Sequence, residues 1–184
     1  MRWMWIDRVI ELVPRERLVA IKNVSLAEEH LHDHFAPDTA PGSDGVSRPA
    51  LPLMPASLIL EGMAQTAGVL VGHAEGFKQK VILAKIGKAE LTRDVGPGMT
   101  LRYTATIQRM DEIGAATLGV VDLFDHAHPA RGYQTIGNIE MMFSHLDNNM
   151  GGAGAPGDEF PAHNFVFGDS FKTLLRLSGI AFDS

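Results

Sequence analysis

The chain lacks cysteine altogether, so none of its 184 residues can form a disulfide, a thiolate metal ligand or a cysteine nucleophile. Positive charge is also in deficit, and the formal net charge of -6 argues against nucleic acid as a partner. A secretory leader is not expected, because Met1–Arg8 meets charged residues too early. These absences favour a cytoplasmic protein, and the length suits one well-packed domain.

The chain does contain one long apolar stretch, Leu51–Ala74, which is long enough to span a membrane. Glu61, Gln65 and His73 interrupt it, together with glycine and proline, so we expect a buried helix and no membrane partner. Helical periodicity places Ser57, Glu61 and Gln65 on one face, one turn apart. A carboxyl group in such surroundings must be paired, protonated or used in chemistry.

Strand patterns lie on both sides of this helix. Residues Leu101 to Gln108 alternate apolar with polar side chains, which is typical of a half-buried strand. Further strands are predicted at Arg17–Val24, Val81–Ala84, Ala89–Val95, Ala116–Phe124 and Tyr133–Phe143. A single apolar helix needs cover on all sides, and a curved antiparallel sheet wrapped around it provides that cover, so the pattern predicts an α+β fold.

The predicted domain occupies residues 1–146, with a proline-rich inserted loop at residues 36–53. Residues 147–184 are predicted to form a linker and a C-terminal appendage. Asn148–Gly157 is glycine-rich and typical of a flexible linker. Asp169–Leu177 is predicted to form a short amphipathic helix, with Asp169 or Ser170 as its N-cap and Gly179 as its stop.

Histidine is concentrated at His30, His32 and His34, with Asp33 between the last two. If the segment were a strand, alternating histidines would share one face and could bind zinc. No strand with a glycine-rich metal loop precedes them, and short histidine motifs give many false matches, so we predict no metal site. A second cluster, Asp125–Pro129, is most simply a polar turn between strands.

Three segments resemble the 3-hydroxyacyl-acyl-carrier-protein dehydratases of fatty acid synthesis, a family with the hotdog fold, over roughly residues 4 to 146. They are Ile6–Val9 with Val19–Val24, His34-Phe35 with Met54–Gln65, and Lys85–Leu91 with Val95–Gly98. The resemblance implies one hotdog domain, in which a curved antiparallel sheet wraps a long central helix. It also implies a hydro-lyase that needs no cofactor and converts 3-hydroxyacyl thioesters into trans-2-enoyl thioesters, in fatty acid or polyketide-like biosynthesis.

The resemblance assigns His34 as the base that removes the proton alpha to the thioester, and Glu61 as the acid that protonates the leaving hydroxyl. Elementary chemistry agrees, because apolar surroundings favour a protonated carboxyl and an imidazole can accept a proton near neutral pH. The Ala56 amide, at the start of the helix, is the candidate donor to the enolate oxygen. Gln65, one turn beyond Glu61, is the candidate group that orients the carboxyl.

Partners follow from the same resemblance. The family places histidine and acid on different subunits, which implies a homodimer or a trimer of such dimers, and its substrate is carried on acyl carrier protein. A basic run is the candidate docking surface for this acidic carrier: Lys78, Lys80, Lys85, Lys88 and Arg93. The candidate acyl-tunnel lining is Met54, Leu58, Met63 and Met142.

Two alternatives remain open. Glu61 would direct water at the thioester carbonyl in a hotdog thioesterase, although the upstream histidine disfavours this function. A non-catalytic acyl-binding or scaffold subunit is the other alternative. It is favoured by Asp33, Ala36 and Ala56, which stand where the family usually has glycine, proline and glycine.

Overall fold

The computed structural model describes residues 4–146 and 166–181. The strands are β1 (Arg8–Val13), β2 (Arg17–Val24), β3 (Val81–Leu91), β4 (Met99–Met110), β5 (Gly114–Asp125) and β6 (Tyr133–His145). The helices are α1 (Glu29–Asp33), α2 (Ala56–Ala74) and α3 (Asp169–Leu177). The predicted linker Asn148–Gly157 lies outside the described residues.

The six strands form one antiparallel sheet in the order β1-β2-β4-β5-β6-β3. The sheet curves around α2, which contacts every strand from β2 to β6. The predicted α+β hotdog architecture is therefore confirmed. Among the described residues, no helix combines the length and the apolar character that crossing a membrane requires.

Two strand predictions needed correction, both at the sheet edges. β1 was not predicted, because among its six residues only Val9 is fully buried and no alternation marks it. Val81–Ala84 and Ala89–Val95 are predicted as separate segments, but all of the first and the first three residues of the second belong to the single strand β3. Register shifts between Leu83 and Lys85 and between Ile86 and Lys88 interrupt its pairing with β6, which explains the broken alternation.

The central helix approaches β4 very closely. A Cβ atom on Gly62 would lie 2.5 Å from the Tyr103 Oη, so only glycine fits at this crossing. Tyr103 itself is completely buried, and its hydroxyl has no hydrogen-bond partner among the described residues. The crossing therefore fixes where α2 sits on the sheet, immediately beside Glu61.

The C-terminal helix α3 docks on this domain. Phe171, Leu174 and Leu175 are its buried face, as the amphipathic pattern predicts. Its N-cap is Gly168, and Asp169 is already helical, which corrects the predicted cap by one residue. Beyond the helix, the Ser178 Oγ accepts a 3.0 Å hydrogen bond from the Val9 amide. This bond covers part of the exposed edge of β1, a protection that sheet edges commonly need.

The inserted loop, residues 36–53, leaves and re-enters the domain at almost the same place. The Leu51 amide donates to the Phe35 carbonyl at 3.0 Å, which closes the base of the loop. Asp38 and Arg48 form a second closure, with the Asp38 amide donating to the Arg48 carbonyl at 3.0 Å. Almost every side chain from 36 to 51 is exposed. The loop therefore extends from the domain and is held mainly by hydrogen bonds within the loop itself.

The buried phenol of Tyr103 predicts an alkaline loss of stability. Burial, and secondarily the charge of Asp7, raises the pKa of Tyr103 above its ordinary value. In the unfolded chain a tyrosine releases its proton near pH 10. The folded state therefore keeps a proton that the unfolded state loses, and above pH 10 stability should fall by about 1.4 kcal/mol per pH unit from this group.

Tyr103→Phe should remove this contribution, so its unfolding free energy should exceed that of the parent increasingly from pH 10 to pH 11. Denaturant unfolding followed by far-UV circular dichroism measures the difference. Tyr133→Phe is the control, because it removes the only other tyrosine from a side chain that is 39% exposed. Equal pH profiles for the two variants would contradict the prediction.

Candidate active site

Glu61 lies in the second turn of α2, half buried, with one carboxyl oxygen held by Gln65. The Gln65 Nε2 donates to the Glu61 Oε1 at 2.9 Å. The Gln65 Oε1 accepts a 2.8 Å hydrogen bond from the Trp5 amide. Because the Trp5 amide can only donate, it fixes which end of the Gln65 side chain faces Glu61. The arrangement orients the carboxyl group and leaves its Oε2 available for chemistry.

An apolar cavity of about 300 Å³ lies beside this carboxyl group. One wall is a face of α2 and another is the start of β3. The third wall comes from the C-terminal segment, more than one hundred residues away in sequence. The lining residues are Glu61, Ala64, Gln65, Gly68, Val81, Ile82, Leu83, Phe143, Val166, Phe167 and Phe171. The Glu61 carboxyl group therefore borders a cavity whose lining suits a hydrocarbon chain.

His34 follows α1 directly and is exposed to solvent. Its amide donates to the His30 carbonyl at 3.3 Å, and its ring lies edge-on to Phe35 with 4.5 Å between the centroids. Phe35 in turn lines a second cavity of about 380 Å³ at the start of α2, together with Met54, Pro55 and Ala56. The histidine therefore stands beside the helix start.

Ala56 is the first residue of α2, and Pro55 precedes it as an N-cap without a side-chain hydrogen bond. First-turn amides have no acceptor within their own helix, so they are available to an anionic ligand. Ala56 is exposed and lines the Phe35 cavity. Ala56 lies at the helix start, as the sequence predicts, and its role as an oxyanion donor stays a prediction.

Among the cavities described for residues 4–146 and 166–181, none is lined by both His34 and Glu61. His34 lines neither the Glu61 cavity nor the Phe35 cavity, and Glu61 lines only the first of these two. The helix positions of Ala56 and Glu61 differ by five residues, about 7.5 Å along the axis. The described cavities of one protomer therefore do not bring His34 and Glu61 together.

The predicted tunnel residues are dispersed. Met54 lines the Phe35 cavity, whereas the 44% exposed Met142 lines a different cavity, on the other side of the sheet with Lys85. Met63 is completely buried, with its thioether against Gly119 of β5. Leu58 is partly buried against the core. The walls of the Glu61 cavity are instead built by small, aliphatic and aromatic residues that the sequence did not single out as tunnel lining.

The basic run lies mainly on β3 and its flanks. Lys78, Lys85, Lys88 and Arg93 are exposed. Lys80 is only 5% exposed, so it cannot contribute to an accessible docking surface, and its assignment there is corrected. Lys88 pairs with Glu90 at 3.1 Å, and Arg93 donates to the Gln134 side chain at 2.7 Å.

The histidine cluster does not have the geometry assumed for zinc. Residues 29–33 are helical, so alternating positions do not share one face as they would on a strand. His30 is half buried and lies edge-on to Trp5 at 5.0 Å, and burial lowers the pKa of His30. No group of three or more potential metal ligands occurs within residues 4–146 and 166–181.

The second cluster, Asp125–Pro129, is the polar turn that the sequence predicts. The Asp125 carboxylate accepts from the Ala127 amide at 2.9 Å and contacts the His128 Nδ1 at 2.8 Å. The hydrogen bond from His128 lowers the pKa of Asp125, with help from the Ala127 amide. Its hydrogen bonds are those of a turn between β5 and β6.

Solved structures with a related fold include the dehydratase heterocomplex ApeI:P from Xenorhabdus doucetiae. It superposes with a TM-score of 0.55 at 16% identity, covering 78% of this chain and 83% of that chain. The smu.793 protein of Streptococcus mutans, bound to acetyl-CoA, has a TM-score of 0.52 at 7% identity, with 74% and 86% covered. At such identities the likeness shows the hotdog fold alone.

Sequence relatives are closer. The 3-hydroxyacyl-[acyl-carrier-protein] dehydratase FabZ of Alkalilimnicola ehrlichii is 39% identical over 109 residues, which cover 57% of this chain and 62% of the relative. The FabZ of Oenococcus oeni is 34% identical over 122 residues, covering 65% of this chain and 78% of the relative. The family model described as the FabA-like domain matches residues 2–126. These matches confirm the resemblance seen in the sequence, and the chain belongs to the FabA-like family of 3-hydroxyacyl-acyl-carrier-protein dehydratases.

Proposed function

We propose that the protein is a hydro-lyase that reversibly dehydrates 3-hydroxyacyl thioesters, carried on acyl carrier protein, to trans-2-enoyl thioesters. The observation that carries the proposal is the Trp5–Gln65–Glu61 hydrogen-bond chain, which aims a carboxyl group at an apolar cavity. Family membership supplies the reaction class. The cavity accounts for the acyl chain, and the oriented carboxyl group accounts for the proton that the leaving hydroxyl needs.

In the proposed reaction, the His34 imidazole takes the proton from the carbon next to the thioester carbonyl. The electron pair of that C–H bond forms the new carbon–carbon double bond through an enolate, whose oxygen the Ala56 amide stabilises. The C3–O bond breaks, and the hydroxyl leaves as water with the proton of Glu61. Proton transfer from His34 to Glu61, through water, restores both groups.

Gln65 has a positioning role in this scheme. Its Nε2 can only donate, so it engages the carbonyl oxygen of a protonated Glu61. The remaining carboxyl oxygen, which carries the proton, is then directed away from Gln65. The same contact stabilises the carboxylate after proton transfer, because an N–H donor favours a charged acceptor.

The proposed enzyme works as a homodimer in which His34 and Glu61 come from different subunits. This arrangement accounts for the absence of His34 from the described cavity that Glu61 lines. The outer edge of β3 supports it, because among the described strands β3 pairs with β6 alone and carries Leu83 and Ile86, each 38% exposed. Such an edge is a ready template for a second strand. The same strand would offer Lys85 and Lys88 to an acidic carrier.

A direct assay tests the proposal. The protein is incubated with a 3-hydroxyacyl thioester on acyl carrier protein or on pantetheine, and enoyl absorbance and free thiol are followed together. We expect enoyl formation without thiol release, and a loss of about 10²–10⁴-fold in either His34→Ala or Glu61→Gln. Ser57→Ala, an exposed position on the same helix, is the control.

Two other outcomes identify the alternatives. Thiol release without enoyl product would identify a thioesterase. Saturable binding of the acyl thioester without either product would identify a non-catalytic acyl-binding subunit, the function favoured by the substitutions Asp33, Ala36 and Ala56. A cytoplasmic location stays a prediction.

A further inference from the structure

The C-terminal segment Val166–Leu177 takes part in the cavity next to Glu61. Val166, Phe167 and Phe171 line that cavity, together with the α2 face that carries Glu61 and Gly68. Phe167 is only 2% exposed and Phe171 only 5%. The burial of these two aromatic rings against the cavity that Glu61 lines indicates that the C-terminal segment forms part of the cavity wall.

Aromatic stacking anchors this wall. Phe167 lies edge-on to Phe77 at 5.0 Å and to Phe171 at 5.8 Å between ring centroids. A Cβ on Gly72 would lie 2.5 Å from the Phe167 ring, so the ring rests directly on the backbone of α2. Aromatic pairs of this geometry add to the stabilisation from burial. The Phe167 ring therefore lies beside α2 at Gly72, about three helical turns beyond Glu61.

We infer that Phe167 and Phe171 set the length of acyl chain that the site accepts. This inference rests on the proposed function, because it takes Glu61 as the end of the cavity where the hydroxyl-bearing carbon lies. The occupant is a hydrocarbon chain, since among the described lining residues only Glu61 and Gln65 have polar side-chain atoms.

The position of the wall sets the expected limit. From Glu61 to Gly68, the helix advances about 10.5 Å. An extended hydrocarbon advances about 1.25 Å per carbon, as follows from ordinary carbon–carbon bond lengths and angles. The cavity then accepts about eight carbons beyond the hydroxyl-bearing carbon before the chain meets the aromatic wall. Medium-length acyl groups are the expected substrates.

The test uses a series of S-alkyl pantetheine thioethers, from butyl to hexadecyl, which bind without reacting. Calorimetry measures the dissociation constant of each with the full-length protein. For the parent we expect affinity to rise with length up to a medium chain and then to level off or fall. Phe171→Ala should move that limit to longer chains and tighten the longest binder about tenfold, the effect of burying two more methylene groups.

Two further variants make the result decisive. Gly68→Leu projects into the cavity from α2, so it should shift the limit to shorter chains, the reverse of Phe171→Ala. Leu177→Ala, on the same helix but 67% exposed, should leave the limit unchanged. Analytical ultracentrifugation of all four proteins measures whether the subunits stay associated.

The same length profile in the parent, Phe171→Ala and Gly68→Leu would overturn the inference, and so would failure of every probe to bind. A change confined to subunit association, with an unchanged length profile, would assign the cavity to a second copy of the chain and also overturn it. If the variants shift the dependence of affinity on chain length but the protein forms no enoyl product, the proposed function is wrong. The role of Phe167 and Phe171 in limiting chain length is then retained. The two proposals therefore fail on different observations.

Discussion

Mixed dimers that pair a His34→Ala subunit with a Glu61→Gln subunit should have about half the dehydration rate of the parent dimer, although each variant alone is nearly inactive. In a two-fold symmetric dimer with shared sites, one site of the mixed dimer receives both defective groups. The other receives His34 from the Glu61→Gln subunit and Glu61 from the His34→Ala subunit, so it is intact. The expected difference in rate between this mixed dimer and either variant alone is therefore the full contribution of His34 and Glu61 to catalysis.

The mixed dimers are obtained by co-expressing the two variants with different affinity tags and purifying on both tags in succession. A mixed dimer in which one subunit carries both substitutions and the other carries none is the matched control. It leaves each shared site with one defective group, so it should be inactive. If the double-variant dimer keeps half the activity and the first mixed dimer keeps none, the two groups act within one chain, and the subunit arrangement proposed above is wrong.

Much of the fold could be predicted from the sequence because its central elements carry strong patterns. β4 and β6 alternate cleanly: Ile139, Met141 and Phe143 are buried, and the residues between them are exposed. The edges could not be predicted as well. β1 buries little, and β3 is mostly exposed and interrupted by bulges, so neither carries the alternation that burial on one face imposes.

The candidate site also contains some features that the sequence predicts and others that it does not. The contact between Glu61 and Gln65 could be predicted, because side chains one turn apart on the same face of a helix are neighbours. The partner of Gln65 is a backbone amide at Trp5, sixty residues away, which leaves no trace in the residue types. Phe167 and Phe171 lie beyond a glycine-rich segment, and Lys80 lies among exposed basic residues. Their burial depends on tertiary packing, which a local pattern does not encode.

Glycine at position 62 is the point where fold and chemistry depend most directly on each other, and Gly62→Ala should damage both. The added Cβ would lie within 2.5–2.8 Å of three atoms of the Tyr103 side chain, and Tyr103 is completely buried beneath α2. Overpacking of this kind typically costs about 1–3 kcal/mol. Since Glu61 is the preceding residue, displacement of α2 also moves the carboxyl group, and a misplacement near 1 Å can cost about 10²-fold in rate.

Gly68→Ala separates this packing effect from the general consequence of replacing a helical glycine. Its Cβ would meet only the Phe143 ring among the described residues, at an ordinary contact distance of 3.6 Å. Alanine is intrinsically better than glycine in a helix by about 1 kcal/mol, so Gly68→Ala should be stabilising. Chemical denaturation of both variants should therefore give opposite signs. A stabilised Gly62→Ala protein with full enoyl-forming activity would mean that α2 is free to move away from β4, and that the position of Glu61 does not depend on this crossing.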